Sequence, residues 1–232
     1  MNLIKRYLHP LIHHPIAQQM YPTFLDILSP PYCAFCRRLL ATRTILCAAC
    51  RLAIKPIVSA TIELTQHQDM QVMAIMEYRD PLKNLILTKS RSDIVTAYDI
   101  GHLMWEYTNI RHRAFDYIVP IPLHWTRYAW RGFNQAEEMG KILARKSGKP
   151  LVNLIHRTRS TPFQSSLSPL KRSKNVKDVF DLNTRNPALY HGKHLLLVDD
   201  LMTTGSTLKE AGKALLKLKP SSITAVVACR VV

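Results

Sequence analysis

Acidic residues are scarce in this sequence: 16 Asp and Glu stand against 32 Lys and Arg in 232 residues, a formal net charge of +16. The imbalance points to a polyanionic partner, with a solvated basic surface as the alternative. Long apolar runs are missing too. Although 47% of residues are hydrophobic, no run approaches the ~18 needed to cross a bilayer, so no membrane span is expected. Glycine is sparse, with 7 in all, and four of them precede a lysine (Gly140, Gly148, Gly192 and Gly212). Ile, Pro, His or Ala follows that lysine, never Ser or Thr, which removes the Walker phosphate loop. A secretory leader is not legible either. Lys5 and Arg6 precede apolar residues, but Pro10, His13, His14 and Pro15 interrupt them and no small-residue cleavage site follows. The expectation is a cytoplasmic protein with residues 1–26 as a loosely docked lead-in, packed at its end by Tyr21, Phe24, Leu25 and Ile27.

Cysteine is uncommon as well, but four of the five form two knuckles, Cys33-Ala-Phe-Cys36 and Cys47-Ala-Ala-Cys50. Two CxxC pairs with ten residues between them suit four thiolates around one tetrahedral Zn²⁺, or an Fe–S cluster; two disulfides or buried free thiols are the competing readings. With all four ligands supplied by the chain, such a zinc is structural. Cys229 lies in an apolar run and reads as an inert core residue. Arg37, Arg38, Arg43, Arg51 and Lys55, with Tyr32 and Phe35 among them, give the ribbon either a nucleic-acid face or an ordinary solvated surface.

The chain is organised around Leu195–Leu208, LLLVDDLMTTGSTL. Four apolar residues run into Asp199 and Asp200, then a Thr/Gly/Ser turn, then a helical pattern from Thr207. Strand, loop and helix in that order mark an open α/β sheet, whose ligands bind beyond the carboxyl ends of its strands. Gly205 is free to take positive φ, and Thr203, Thr204, Gly205, Ser206 and Thr207 would cradle one phosphate at the start of a helix. The two carboxylates suit a ribose diol, or Mg²⁺ held through water.

Upstream, Leu82, Leu85 and Ile86 after Pro81, and Asp99 to Tyr107, have helical spacing. Residues 117–122 read as a strand closed by prolines, 127–132 as a basic loop, 135–145 as a helix and 151–155 as a strand. Residues 156–181 lack periodicity and are rich in Arg, Lys, Ser and Thr, as a lid over a pyrophosphate or a nucleic-acid contact would be. Between 125 and 177 the sequence has 12 Lys and Arg against 2 acids, beside Trp125, Tyr128, Trp130 and Phe133. Residues 1–56 are expected to form the lead-in and zinc finger, and 57–232 the α/β domain.

The DD-x-x-TTGST segment resembles the signature of type I phosphoribosyltransferases. With VPIPLHWTRYAWRGFNQAEEMGKIL (119–143) and RTRSTPFQSSLSPLKRSKNVKDVF (157–180) before it, after a four-cysteine knuckle, the chain resembles the ComF family of phosphoribosyltransferase-like proteins from about residue 24 onward. The resemblance implies a parallel sheet with flanking helices and an N-terminal zinc ribbon. It also implies that Asp199 and Asp200 meet the ribose hydroxyls of phosphoribosyl pyrophosphate, and Thr203 to Thr207 its 5-phosphate. Arg131 and Gly132, in RGFNQ, would lie near the pyrophosphate with Mg²⁺, and Gln164 and Arg172 would lie on the lid. The family's Tyr…Pro-Leu…Lys element falls on Tyr78, Pro81, Leu82 and Lys89, but Ser90-Arg91-Ser92 departs from its usual continuation. The family is associated with natural transformation, which implies single-stranded DNA and DNA-uptake proteins as partners. An active phosphoribosyltransferase with an unidentified acceptor is the alternative.

Overall fold

The computed structural model describes residues 30–42, 44–55, 57, 59–87, 94–159 and 178–231. The expected lead-in, Lys89, and the lid residues Gln164 and Arg172 lie outside them. The chain divides into two compact units, Met1–Arg51 and Leu52–Val232.

In the larger unit, β1 (Ala60–Thr65) turns back antiparallel onto β2 (Gln68–Glu77). Residues 72–76, VMAIM, are buried without alternation, the pattern of a strand covered on both faces. The same holds for Leu195–Val198 in β6 (His194–Met202) and for Ala225–Cys229 in β7 (Ser222–Arg230). With β3 (Tyr117–Pro120) these form one five-stranded sheet in the order β1-β2-β7-β6-β3, parallel except at β1. The parallel strands therefore point their carboxyl ends the same way, with Glu77, Arg230 and Met202 level and β3 stopping earlier, Pro120 lying opposite Val198.

Among the described residues, α1 (Ala48–Leu52) begins inside the second cysteine knuckle and carries Cys50. The larger unit adds α2 (Leu82–Leu87), α3 (Ile94–Tyr107), α4 (Trp125–Arg131), α5 (Gln135–Ser147) and α6 (Ser206–Leu216). Helix α3 packs on β2 and β7 and against α5, where Gly101 permits close approach: a β-carbon there would stand 2.9 Å from Ile142 Cβ. Helix α6 packs beside β1, with Leu208, Ala211 and Leu215 joining Leu64, Val72, Leu195, Leu197 and Val227 in the main core. It also packs on a small antiparallel pair, β4 (Ile155–Arg157) and β5 (Phe180–Leu182).

Two expectations are corrected here. The stretch expected as a basic loop at 127–132 is helical as far as Arg131. His124 caps α4 by accepting from the Thr126 N–H, and Gly132, at φ +80°, closes it by donating to the Tyr128 carbonyl. The strand expected at 151–155 starts later. Leu151 makes a single bridge to Ile118, and regular pairing begins at Ile155, on the border of the stretch read as aperiodic.

Helix α5 shows why its sequence is helical. Asn134 accepts from the Ala136 N–H at its start, Glu137 and Glu138 sit in the first turn and Arg145 and Lys146 in the last, matching the helix dipole.

Candidate ligand site and zinc ribbon

Strand β6 runs to Met202, past the expected end at the acidic pair, because Leu201 and Met202 keep their register with Cys229 and Arg230. Burial nevertheless changes at the expected point: Val198 is enclosed, whereas Asp199 and Asp200 are half-buried. Successive strand residues face opposite sides of a sheet, so the two carboxylates flank the strand rather than share a face. The Asp200 N–H donates to Asp199 Oδ1 at 2.9 Å, which fixes the first carboxylate against the backbone.

The chain then bends through 203–205 into α6. Gly205, at φ +75°, is the N-cap, and a β-carbon on it would stand 2.9 Å from Ile62 Cδ1, so β1 walls the loop. Thr204 Oγ1 and Ser206 Oγ are 2.8 Å apart. The opening N–H groups of a helix have no carbonyl above them, and in α6 they follow directly on this hydroxyl-rich turn. The structure thus brings Asp199, Asp200 and Thr203 to Thr207 together as one strand–loop–helix unit.

Beside it lies the rest of the sheet edge. Strand β7 sits between β2 and β6, with Glu77, Arg230 and Met202 in register. The Arg230 carbonyl accepts from the Tyr78 N–H at 2.7 Å, and the Val231 N–H donates to the Met202 carbonyl at 2.9 Å. Burial pushes the Tyr78 hydroxyl up from its ordinary pKa, with Cys229 and the Asp200 carboxylate adding to it, so Tyr78 feels the acidic strand. Sequence reasoning missed Arg230. The signal was available: a single cation interrupts an apolar strand just at its carboxyl end. Gly132 caps α4 after the end of β3, and Asn134 Nδ2 donates to the Ile121 carbonyl at 3.0 Å, closing the RGFNQ turn back onto that strand end.

In the smaller unit, Cys33, Cys36, Cys47 and Cys50 converge, with all four sulfurs within 4.8 Å of one another. Cys36 Sγ and Cys47 Sγ are 3.7 Å apart. Zn–S bonds of about 2.3 Å in a tetrahedron place sulfurs roughly 3.8 Å apart, so the set fits zinc. All five cysteines are free thiols, which removes the disulfide reading. Burial opposes ionisation of Cys33, but hydrogen bonds from the Cys36, Cys47 and Phe35 backbone outweigh it and bring the thiol down to about 6. Burial and the neighbouring sulfurs push Cys50 up to about 12. Four thiolates cannot coexist here without a cation, and a dication relieves that repulsion.

Aromatic exposure follows the basic segments. Trp125 is 73% exposed and Tyr128 49%, both on α4, and on the ribbon Tyr32 is 54% exposed beside exposed Arg37 and Arg38.

Comparison with known proteins agrees with this geometry. Residues 134–231 match the phosphoribosyl transferase domain family, a span from α5 through β7 that takes in the β6–loop–α6 unit. The DNA utilization protein YhgH of Salmonella typhimurium is 31% identical over 211 residues, 85% of this chain and 89% of that protein. Competence protein ComFC of Bacillus subtilis is 34% identical over 158 residues, 66% of this chain and 62% of that protein. Competence protein F of Haemophilus influenzae is 41% identical over 103 residues, 44% of each.

Proposed function

Because this chain belongs to the ComF family of phosphoribosyltransferase-like proteins, we propose that it binds phosphoribosyl pyrophosphate with Mg²⁺ at the carboxyl edge of its sheet and handles single-stranded DNA during natural transformation. One observation carries the ligand reading: Gly205, at φ +75°, opens α6 shortly after the strand-borne Asp199 and Asp200 have passed the edge of the core. A phosphate at the loop and a ribose diol at the carboxylates are the two ends of one phosphorylated sugar. Thr203, Thr204, Gly205, Ser206 and Thr207 bind the 5-phosphate, and Asp199 and Asp200 the hydroxyls. Arg131 and Gly132 serve the pyrophosphate, and Gln164 and Arg172 belong to the lid segment. Mg²⁺ would supply charge neutralisation at the pyrophosphate.

The DNA reading draws on a different feature. Exposed Trp125 and Tyr128 lie in a segment with 12 Lys and Arg against 2 acids, and the ribbon repeats the pairing of aromatics with arginines. Relatives named for competence and DNA utilization support the same assignment. It puts the protein in the cytoplasm, alongside DNA-uptake proteins as partners. A phosphoribosyltransferase acting on an unidentified acceptor is the second reading, favoured by the undisturbed 199–207 segment. Calorimetry with phosphoribosyl pyrophosphate and Mg²⁺, followed by pyrophosphate release measured against a panel of bases, tests both. Absence of binding would remove the ligand reading. Binding without release would leave the site as a sensor or phosphate grip.

A further inference from the structure

Arg230 ends β7, the strand flanked by β2 and β6. Its position along the sheet edge is therefore between the turn that follows Glu77 and the Asp199–Thr207 segment. Residues 225–229 before it are all buried, so the side chain emerges from the driest part of the sheet. Its Nε is sealed from solvent and has no hydrogen-bond partner. The natural protein partner is Glu77, next to it in register, but that carboxylate is bridged to Arg79 at 3.3 Å. A side chain that merely carried its charge out to water would wet Nε or lay it on a carbonyl. A buried guanidinium N–H left without an acceptor calls for an explanation, and an anionic ligand supplies one.

The phosphate loop offers backbone N–H and hydroxyl groups for one phosphate, but residues 199–208 contain no Lys or Arg. A ligand with a second, more highly charged group at its other end needs cations from other strands. The guanidinium fork matches two phosphoryl oxygens at once. We propose that Arg230 is an anion-binding residue of this site, donating to the pyrophosphate end of the ligand rather than to the 5-phosphate. The assignment rests on the ligand reading above and adds the residue that discriminates a pyrophosphorylated sugar from a simple sugar phosphate.

Calorimetry with Mg²⁺ present, using phosphoribosyl pyrophosphate and ribose 5-phosphate on the full chain, tests it. Arg230→Gln should weaken phosphoribosyl pyrophosphate by about 10–100-fold, the size of a missing charged hydrogen bond, and leave ribose 5-phosphate within about twofold. Arg230→Lys, which keeps the charge and removes the fork, should fall between. If the Gln variant does not fold, the Lys variant must still weaken the pyrophosphate-bearing ligand selectively. Equal weakening of both ligands, or wild-type affinity in a folded variant, would overturn the proposal. Failure of wild type to bind either ligand would instead overturn the ligand reading on which it rests. Wild-type binding of ribose 5-phosphate with no gain from the pyrophosphate would overturn Arg230 alone.

Discussion

A β-carbon placed on Gly205 would stand 2.9 Å from Ile62 Cδ1, on a backbone already in the left-handed region at φ +75°. Gly205→Val combines that clash with a conformation that β-branched residues avoid, and should abolish ligand binding while costing about 2–4 kcal/mol of stability. Thermal unfolding and calorimetry measure the two effects. A Val variant that bound as tightly as wild type would show that the loop does not need this shape.

Asp199 accepts the backbone N–H of Asp200, so its charge serves the loop as well as any diol. Asp199→Asn keeps the shape and removes the charged acceptor, and should weaken phosphoribosyl pyrophosphate by about 10–100-fold at little cost in melting temperature. A change confined to melting temperature would make the residue purely structural.

Purified under reducing conditions, the protein should contain one equivalent of zinc, given four sulfurs within 4.8 Å of one another. Cys36→Ser should release the metal and unfold the ribbon, and leave the circular dichroism of the larger unit nearly intact. Neither zinc nor iron near one equivalent would dispose of the assignment.

Exposed aromatics can be removed without opening a cavity. Trp125→Ala with Tyr128→Ala, exposed by 73% and 49% respectively, should weaken single-stranded DNA by about 1–3 kcal/mol for each base stacked. Arg172→Ala with Lys174→Ala should instead act uniformly across sequences and reduce the log–log salt slope by roughly 0.7 for each phosphate left unneutralised. Filter binding at several salt concentrations separates stacking from charge. No DNA binding at low salt would leave the ligand site to carry the function alone.

Asp116 Oδ2 accepts the His194 N–H at 2.9 Å, tying the start of β3 to that of β6. That bond holds its carboxyl below the usual range against the pull of burial, with help from Lys193, His194 and Lys149. A depressed folded pKa means that the stabilisation is present above the unfolded value of ~3.9 and is lost as pH falls through the folded one. Asp116→Asn should cost about 1 kcal/mol at neutral pH and converge on wild type in acid. Parallel stability curves at all pH values would count against it.

The motif strand was legible because its chemistry and its hydrophobicity change at the same residues: Leu195–Val198 are apolar, then come two acids. The two knuckles were legible from spacing alone. Helix α4 was not, because Arg127 to Gly132 were weighed by charge, while the helix is declared by its caps, His124 and Gly132. The β1–β2 hairpin went unread since β2 lacks alternation, being covered on both faces, and short apolar runs do not distinguish strand from helix. Arg230 has one local signal, a cation closing an apolar strand, and that signal gains a meaning only once the strands flanking β7 are known.

That topology also governs how the domain is made. Strand β7, the last described strand in synthesis order, pairs with β2 and β6 in the interior of the sheet, and its pairing with β2 spans about 150 positions of chain. Until Ser222 to Arg230 leave the ribosome, β2 and β6 wait for their common neighbour, and two strands rich in Val, Ile, Met and Leu each stand with one edge unpaired. Nascent chains arrested before residue 222 are thus the aggregation-prone species of this protein, and the ones a chaperone should hold.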